Sequence, residues 1–315
     1  MRIVWCWLSV ACMVYAATLN PKLQIQASGN VQAFIVANEQ VVAATNVGTI
    51  ETFRLNDGVK TSQIAFPKIK DFTGDEVAPK VFSLDALEGR FVAVVQAENG
   101  ARSVYTVQNG ETKVVIDASK NWFVSKAKFV DKGHLLMALL SNEVVLWDLQ
   151  NAKEIYRVQA NPSHFSDIAL NQTRTQAVSS CESGELTLLD VQSGKIVKVF
   201  KGGNVDNVYD VDFHRQKILG AGQDRRGVVY DLLSGNFERF DGDFLMYAGA
   251  LSTDETLAAF AFNEQNHIVI FDVAKKSRLH TLVGQKSTLN AIVFIDDHRL
   301  VSSSDDPYIM IWSLP

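Results

Sequence analysis

Cysteine is nearly absent from this chain: there are three in 315 residues, Cys6, Cys12 and Cys181. Two of them fall in an apolar leader, so the rest of the chain holds a single thiol and cannot form an internal disulfide. Such a chain must be held together by its core, and its length permits a large one. Cys181 reads as a small hydrophobe filling a strand end rather than as a reactive thiol. Net basic charge is missing as well. The formal charge is −5, which gives no counter-ion release on nucleic acid, so DNA and RNA binding are excluded. Metal-ligand patterns are lacking: the six histidines are scattered, no pair has helical i, i+4 spacing, and no cysteine pair assists them. No P-loop or Gly-x-Ser-x-Gly elbow occurs. The stretch "GAGQDRRG" is followed by a strand-like run, not the helix a dinucleotide site needs, so its glycines are read as permitting close approach between strands. No stretch carries a capped helical period. Beyond the leader there is no apolar run of membrane length.

The leader itself reads "MRIVWCWLSVACMVYAATLN". Arg2 forms a short basic region, Ile3 to Val14 is apolar, and Val14-Tyr15-Ala16 offers a cleavage site. The expectation is a signal peptide over residues 1–17, export to the periplasm, and a single domain over 18–315. An uncleaved anchor and lipidation at Cys12 are the alternatives.

What the chain has in abundance is one repeated pattern. Seven stretches end a strand-like run in an aromatic or apolar residue followed by a polar turn, among them "EVVLWDLQN", "ELTLLDVQSG" and "YIMIWSLP". The aligned residues are Phe53, Tyr105, Trp147, Leu189, Tyr230, Phe271 and Trp312, spaced by 52, 42, 42, 41, 41 and 41 residues. A period of about 40–45 with a Trp-Asp-like dipeptide marks a four-stranded propeller blade. Residues 204–240 show the layout: "NVYDVDFH", "KILGAGQD", "GVVYDLL" and "FERF" are successive strands separated by Gly, Asn, Asp and Ser turns. The last repeat stops at Pro315 after its third strand. An unpaired edge is a liability, so "PKLQIQAS", Pro21 to Ser28, is expected to pair with Tyr308–Leu314. The fold expected is an all-β, seven-bladed β-propeller whose last blade is closed by the N-terminal strand.

These repeats resemble WD-repeat propellers, most clearly in "VVLWDLQNAKEI", "LTLLDVQSGKIVKVF" and the last repeat. The Gly-His pair of that family is replaced by Gly284-Gln285, so its buried hydrogen-bond tetrad is expected to be incomplete for want of a histidine. "GELTLLDVQSGKIV" also resembles quinoprotein-like propellers, but the Trp docking positions hold Val199 or Phe200, which argues against a quinone; no cofactor is expected. Size, leader and degenerate repeats are similar to those of the NapL group, accessory proteins of periplasmic nitrate reductases. That resemblance implies a protein partner: a reductase or its maturation factors.

The residues expected to carry function lie in loops on one face, the b–c turns and the connections between blades. Asp224, Arg225, Arg226 and Asp306 come from b–c turns; Trp122, Phe165, Phe244, Met246 and Tyr247 come from inter-blade connections. "DFLMY", residues 243–247, is the most apolar of these and suits an exposed hot spot. The acid pairs Asp210/Asp212, Asp241/Asp243, Asp296/Asp297 and Asp305/Asp306 are read mostly as turn formers. Strand positions near the axis are expected to be Ala, Val, Ser and Gly, which disfavours catalysis in a channel. The first repeat is longer than the others, and the excess, Phe66 to Lys80, is expected to be an exposed loop without strands. The reading is a non-catalytic platform for a protein partner; the rival is an enzyme or small-molecule binder using the channel.

Overall fold

A computed structural model describes residues 17–315; the signal-peptide reading and Cys12 lie outside the described residues. Among the described residues are seven blades of four antiparallel strands, each running outward from an innermost strand a to an outer strand d; the sheet of blade 6 gains a fifth, parallel strand at its rim. The innermost strands are Val31–Ala37, Val81–Leu87, Val124–Phe129, Phe165–Leu170, Val208–Phe213, Gly249–Leu251 and Leu289–Phe294 for blades 1 to 7. All seven repeat residues sit in the third strand, c, of their blades, Phe53 in Thr49–Arg54 through to Trp312 in Tyr308–Ser313.

The blades stack through apolar slabs, and there are seven such clusters, one for each neighbouring pair of blades. Both faces of every blade are therefore covered. That is why strands b and c read as near-continuous apolar runs, as in "LLMAL" and "VVLWD". Polar residues are confined to the edges and turns. The acid that follows the repeat residue shapes the c–d turn: Asp190 Oδ1 accepts from Ser193 N–H at 2.8 Å, and Asp231 Oδ1 from Ser234 N–H at 2.8 Å. A glycine in the left-handed region then completes each turn, Gly194 at φ 70° and Gly235 at φ 76°.

The ring closes as the sequence led one to expect. Leu23–Gln26 is the fourth strand of blade 7, antiparallel to Tyr308–Ser313, with Leu23 opposite Ile311 and Gln26 opposite Tyr308. Ile25, 2% exposed, enters the slab between blades 7 and 1. Just beyond this strand, Ser28 N–H donates to buried Glu51 of blade 1 at 3.1 Å, and Lys60 pairs with the same carboxylate at 3.1 Å. Burial works to raise the Glu51 pKa, but these donors outweigh it and hold it below its ordinary value. A further strand lies upstream: Ala17–Leu19 pairs in parallel with the outer strand of blade 6, Ser277–Leu282. The chain thus crosses from the rim of blade 6 to the rim of blade 7 before entering blade 1.

Two expectations are corrected. The excess in repeat 1 is not strand-free: Ile69–Lys70 and Glu76–Val77 form a small hairpin. Asp71 Oδ1 makes its tip, accepting from Thr73 N–H at 2.9 Å and Asp75 N–H at 3.0 Å. Nor is the buried polar chain of blade 7 broken by the missing histidine. Trp312 Nε1 donates to Ser302 Oγ at 2.8 Å, Ser302 Oγ to Gln285 Oε1 at 2.9 Å, and Gln285 Nε2 to Ser304 Oγ at 2.6 Å. A primary amide offers one acceptor and one donor edge, as a neutral imidazole does, so Gln285 relays the chain.

The glycines of "GAGQDRRG" do mark close approach. A Cβ on Gly222 would lie 2.8 Å from Asn204 Nδ2 in the connection between blades 4 and 5, and one on Gly227 would overlap the Phe260 ring of blade 6. Phe260 is already packed against Phe240 and Phe271. Gly227→Ala should therefore destabilise the ring by about 1–3 kcal/mol, read as a lowered midpoint in thermal unfolding; an unchanged midpoint would show that the slab has room to yield.

Candidate functional site

Strands b and d end on the face where a and c begin, so b–c turns and inter-blade connections share one face, here called the loop face. The nine loop candidates all lie there, but they differ sharply in availability. Met246 is fully buried in the slab between blades 5 and 6, and Phe165 is 7% exposed in the slab between blades 3 and 4. "DFLMY" is consequently the buried approach to strand a of blade 6 rather than an exposed cluster, with Phe244 and Tyr247 half-buried. Tyr247 stacks on Tyr209 with centroids 4.8 Å apart. Trp122 meets Trp147 edge-on at 5.6 Å and carries the Arg157 guanidinium 4.4 Å over its ring. Asp224 anchors a turn, accepting from Val205 N–H at 2.8 Å and Asn204 Nδ2 at 3.1 Å, and Arg226 lies against it at 3.8 Å. Asp306 Oδ1 caps Tyr308 N–H at 2.9 Å. Arg225, at φ 62°, is the one candidate of the nine that stands exposed to solvent.

The structure adds loop-face residues beyond the nine candidates, one of them, Phe72, inside the Phe66–Lys80 loop that the sequence marks as the best single candidate for a contact. Of twelve exposed large hydrophobic side chains among the described residues, five lie on this face: Val47, Phe72, Phe123, Leu140 and Val205. Five more lie on outer strands and only Val59 and Leu233 on the opposite face. Phe72, 93% exposed, stands at the tip of the Ile69–Val77 hairpin. Phe123 and Leu140 are joined through Leu140 N–H donating to the Phe123 carbonyl at 2.9 Å.

The central channel also departs from expectation. It is a cavity of about 390 Å³, and its walls are not mainly small and neutral. Blades 2 to 5 contribute Asp85, Lys126, Lys128, Asp167, Asp210 and Asp212 from their innermost strands; blades 6, 7 and 1 contribute apolar residues such as Leu251, Ile292, Phe294 and Phe34. Asp210 and Asp212 are therefore strand residues, not turn formers. The reason lies in the backbone. An innermost strand has one edge without a strand partner, and its N–H groups need acceptors. The carboxylates supply them across blade boundaries. Asp85 Oδ2 accepts from Phe129 N–H at 2.9 Å, Asp167 Oδ2 from Val211 N–H at 3.2 Å, Asp210 Oδ2 from Gly249 N–H at 2.8 Å and Asp212 Oδ2 from Leu251 N–H at 2.8 Å. From blade 7, Asn290 Nδ2 donates to the Val31 carbonyl of blade 1 at 2.7 Å.

These acids are also paired with cations. Lys126 lies 3.1 Å from Asp167 and Arg174 lies 2.8 Å from Asp85. Arg174 comes from the a–b turn of blade 4 and reaches across blade 3, also donating to the carbonyls of Ala86, at 3.2 Å, and Phe129. His214 Nε2 sits 3.1 Å from Asp212. Burial would lower the His214 pKa, but the Asp212 carboxylate prevails and raises it. Asp167 and Asp210 are buried neighbours whose charges repel, so one proton shared between them stabilises the pair. Burial, then the neighbouring Asp167 charge, pushes Asp210 well above the usual carboxylate range. Burial would raise Asp167 too, but Lys126 and Lys128 outweigh it and hold it low. The proton therefore resides on Asp210. The signal for this site was present in the sequence: the first strands of four consecutive repeats carry charged residues, alternating in "VSKAKF" and "VYDVDF" and single in "VFSLDAL" and "FSDIAL".

Seven blades, a ring closed by the N-terminal strand and repeat residues on every third strand define a WD-repeat-like β-propeller. No family model matches the chain. The chain is 23% identical over 192 residues to the WD repeat-containing protein SL1-17 of Schistosoma mansoni, a match covering 58% of this chain and 62% of that protein.

The shared proton makes opposite predictions for the two acids. A carboxyl whose pKa is raised on folding binds more protons in the folded state, so its ionisation erodes stability as pH rises from about 4. Asp210→Asn should remove that loss and raise the thermal midpoint at pH 7. Asp167→Asn should lower it, by leaving Lys126 without its partner. Denaturation of both variants between pH 4 and 8 checks this; a destabilised Asp210→Asn at pH 7 would contradict the protonation assignment.

Proposed function

We propose that this chain is a non-catalytic platform that holds a protein partner against its loop face. The observation that carries the reading is Phe72, an almost fully exposed aromatic on a hairpin whose tip is fixed by Asp71. An ordered, exposed aromatic gives a partner a large apolar anchor at little entropic cost. Phe123, Leu140 and Val205 extend apolar exposure over the same face, and Arg225 adds an exposed cation. A ring with every blade face buried holds these loops in fixed relation to one another, so specificity resides in the loops rather than the fold.

The finer part of the proposal is an exported protein serving the assembly of an envelope redox enzyme such as periplasmic nitrate reductase. Its support is the leader, with Arg2, the apolar run Ile3 to Val14 and small residues before Thr18, together with the similarity in size and repeats to the NapL group. Among the described residues, no helix is long and apolar enough to cross a membrane.

A photo-crosslinking residue placed at position 72, and separately at 233 on the opposite face, tests the platform in native cells. The proposal expects one stoichiometric partner through 72 and none through 233. It also expects Phe72→Ala to weaken capture about tenfold or more and Arg225→Ala to weaken it less. Capture through 233 alone would overturn the choice of face. A reductase subunit in the crosslinked species would support the redox-assembly role, and an unrelated partner would remove it.

A further inference from the structure

The channel is a cavity separate from the loop face. We propose that it binds a small amphipathic organic anion, one acidic group on an apolar body, with Lys128 as the anchor for the acid.

The first ground is the pairing of charges. Lys126, Arg174 and His214 each face a carboxylate within ion-pair distance. Lys128 lines the same cavity and, among the described residues, makes no ion pair and no side-chain hydrogen bond. An ammonium group has three donors to satisfy, and those of Lys128 remain available. The acids around it are engaged: Asp85, Asp167 and Asp212 each accept a backbone N–H, Asp85 and Asp167 also pair with Arg174 and Lys126, Asp212 meets His214, and Asp210 carries the shared proton. An entering anion therefore meets an unpaired cation and a carboxyl that adds no charge.

The second ground is the division of the wall. Opposite the charged arc, the part-exposed apolar lining is Ala33, Ile35 and Val36 of blade 1 with Ala291 and Val293 of blade 7. A ligand fixed by its acid at Lys128 would lay its apolar body on these residues. The cavity, about 390 Å³, falls in the range of small-molecule sites, roughly 300–1,000 Å³. A metal ion suits it less well, because among the described residues no three His, Cys, Asp or Glu side chains converge as a ligand set.

The test is calorimetric titration of the full ring with hexanoate and 3-phenylpropanoate, using hexanol as the uncharged control. The proposal expects saturable binding of the two acids and binding of hexanol weaker by about tenfold or more. Lys128→Met should weaken hexanoate about tenfold or more while leaving the far-ultraviolet dichroism at the titration temperature unchanged, and Lys128→Arg should retain binding. No saturation by either acid below about 10 mM, hexanol binding as well as hexanoate, or a folded Lys128→Met that binds like the parent would each overturn it. None of these outcomes bears on the loop face, so the platform reading stands or falls separately.

Discussion

The pairing of Leu23–Gln26 with Tyr308–Ser313 is the constraint on which the rest of the ring depends. Six blades draw all four strands from consecutive chain; blade 7 takes its outer strand from the opposite end. Without that strand, one edge of Tyr308–Ser313 would be unpaired and the slab between blades 7 and 1 would lose Ile25. A closed ring has no place for an open slab, because each blade is covered only by its two neighbours. Glu51 secures the same junction, holding the Ser28 linker to blade 1 through a buried carboxylate.

A second constraint acts at the centre. Seven innermost strands each present an edge that no strand covers, and charged or amide side chains bridge between blades there. Asp85, Asp167, Asp210 and Asp212 do this through backbone N–H groups of the next blade. Carrying carboxylates into a narrow channel has an electrostatic consequence. They need cations or protons of their own, which Lys126, Arg174 and the proton on Asp210 provide. The same requirement that stabilises the inner edge thus gives the channel its charged half, while blades 6, 7 and 1 line the other half with uncharged residues, mostly apolar.

Much of this was legible in the sequence because propeller blades repeat at a fixed period. Phe53 through Trp312 occupy equivalent strand positions, and their spacing alone counted the blades. The closing strand was legible because the seventh repeat lacks one. The channel was not, since Asp210 and Asp212 in "VYDVDF" look like turn acids until the strand is known to be innermost. Met246 looked exposed because an apolar loop and a buried lead-in to a strand have the same local composition; only packing against blade 5 separates them. Gln285 was taken to break the blade 7 polar chain, although its amide reproduces the donor and acceptor the chain needs. The hairpin at Ile69–Val77 escaped notice because strands of two residues are too short to show alternation.

The most direct test of ring closure is hydrogen–deuterium exchange of the full chain against a chain that begins at Val31. Closure predicts that amides of Tyr308–Ser313 in the full chain exchange as slowly as those of the third strands of the other blades. In the shortened chain, protection should fall there and across the innermost strands of blades 1 and 7. Equal protection in both chains would contradict the account, because the ring would then hold its shape without the strand assigned to close it.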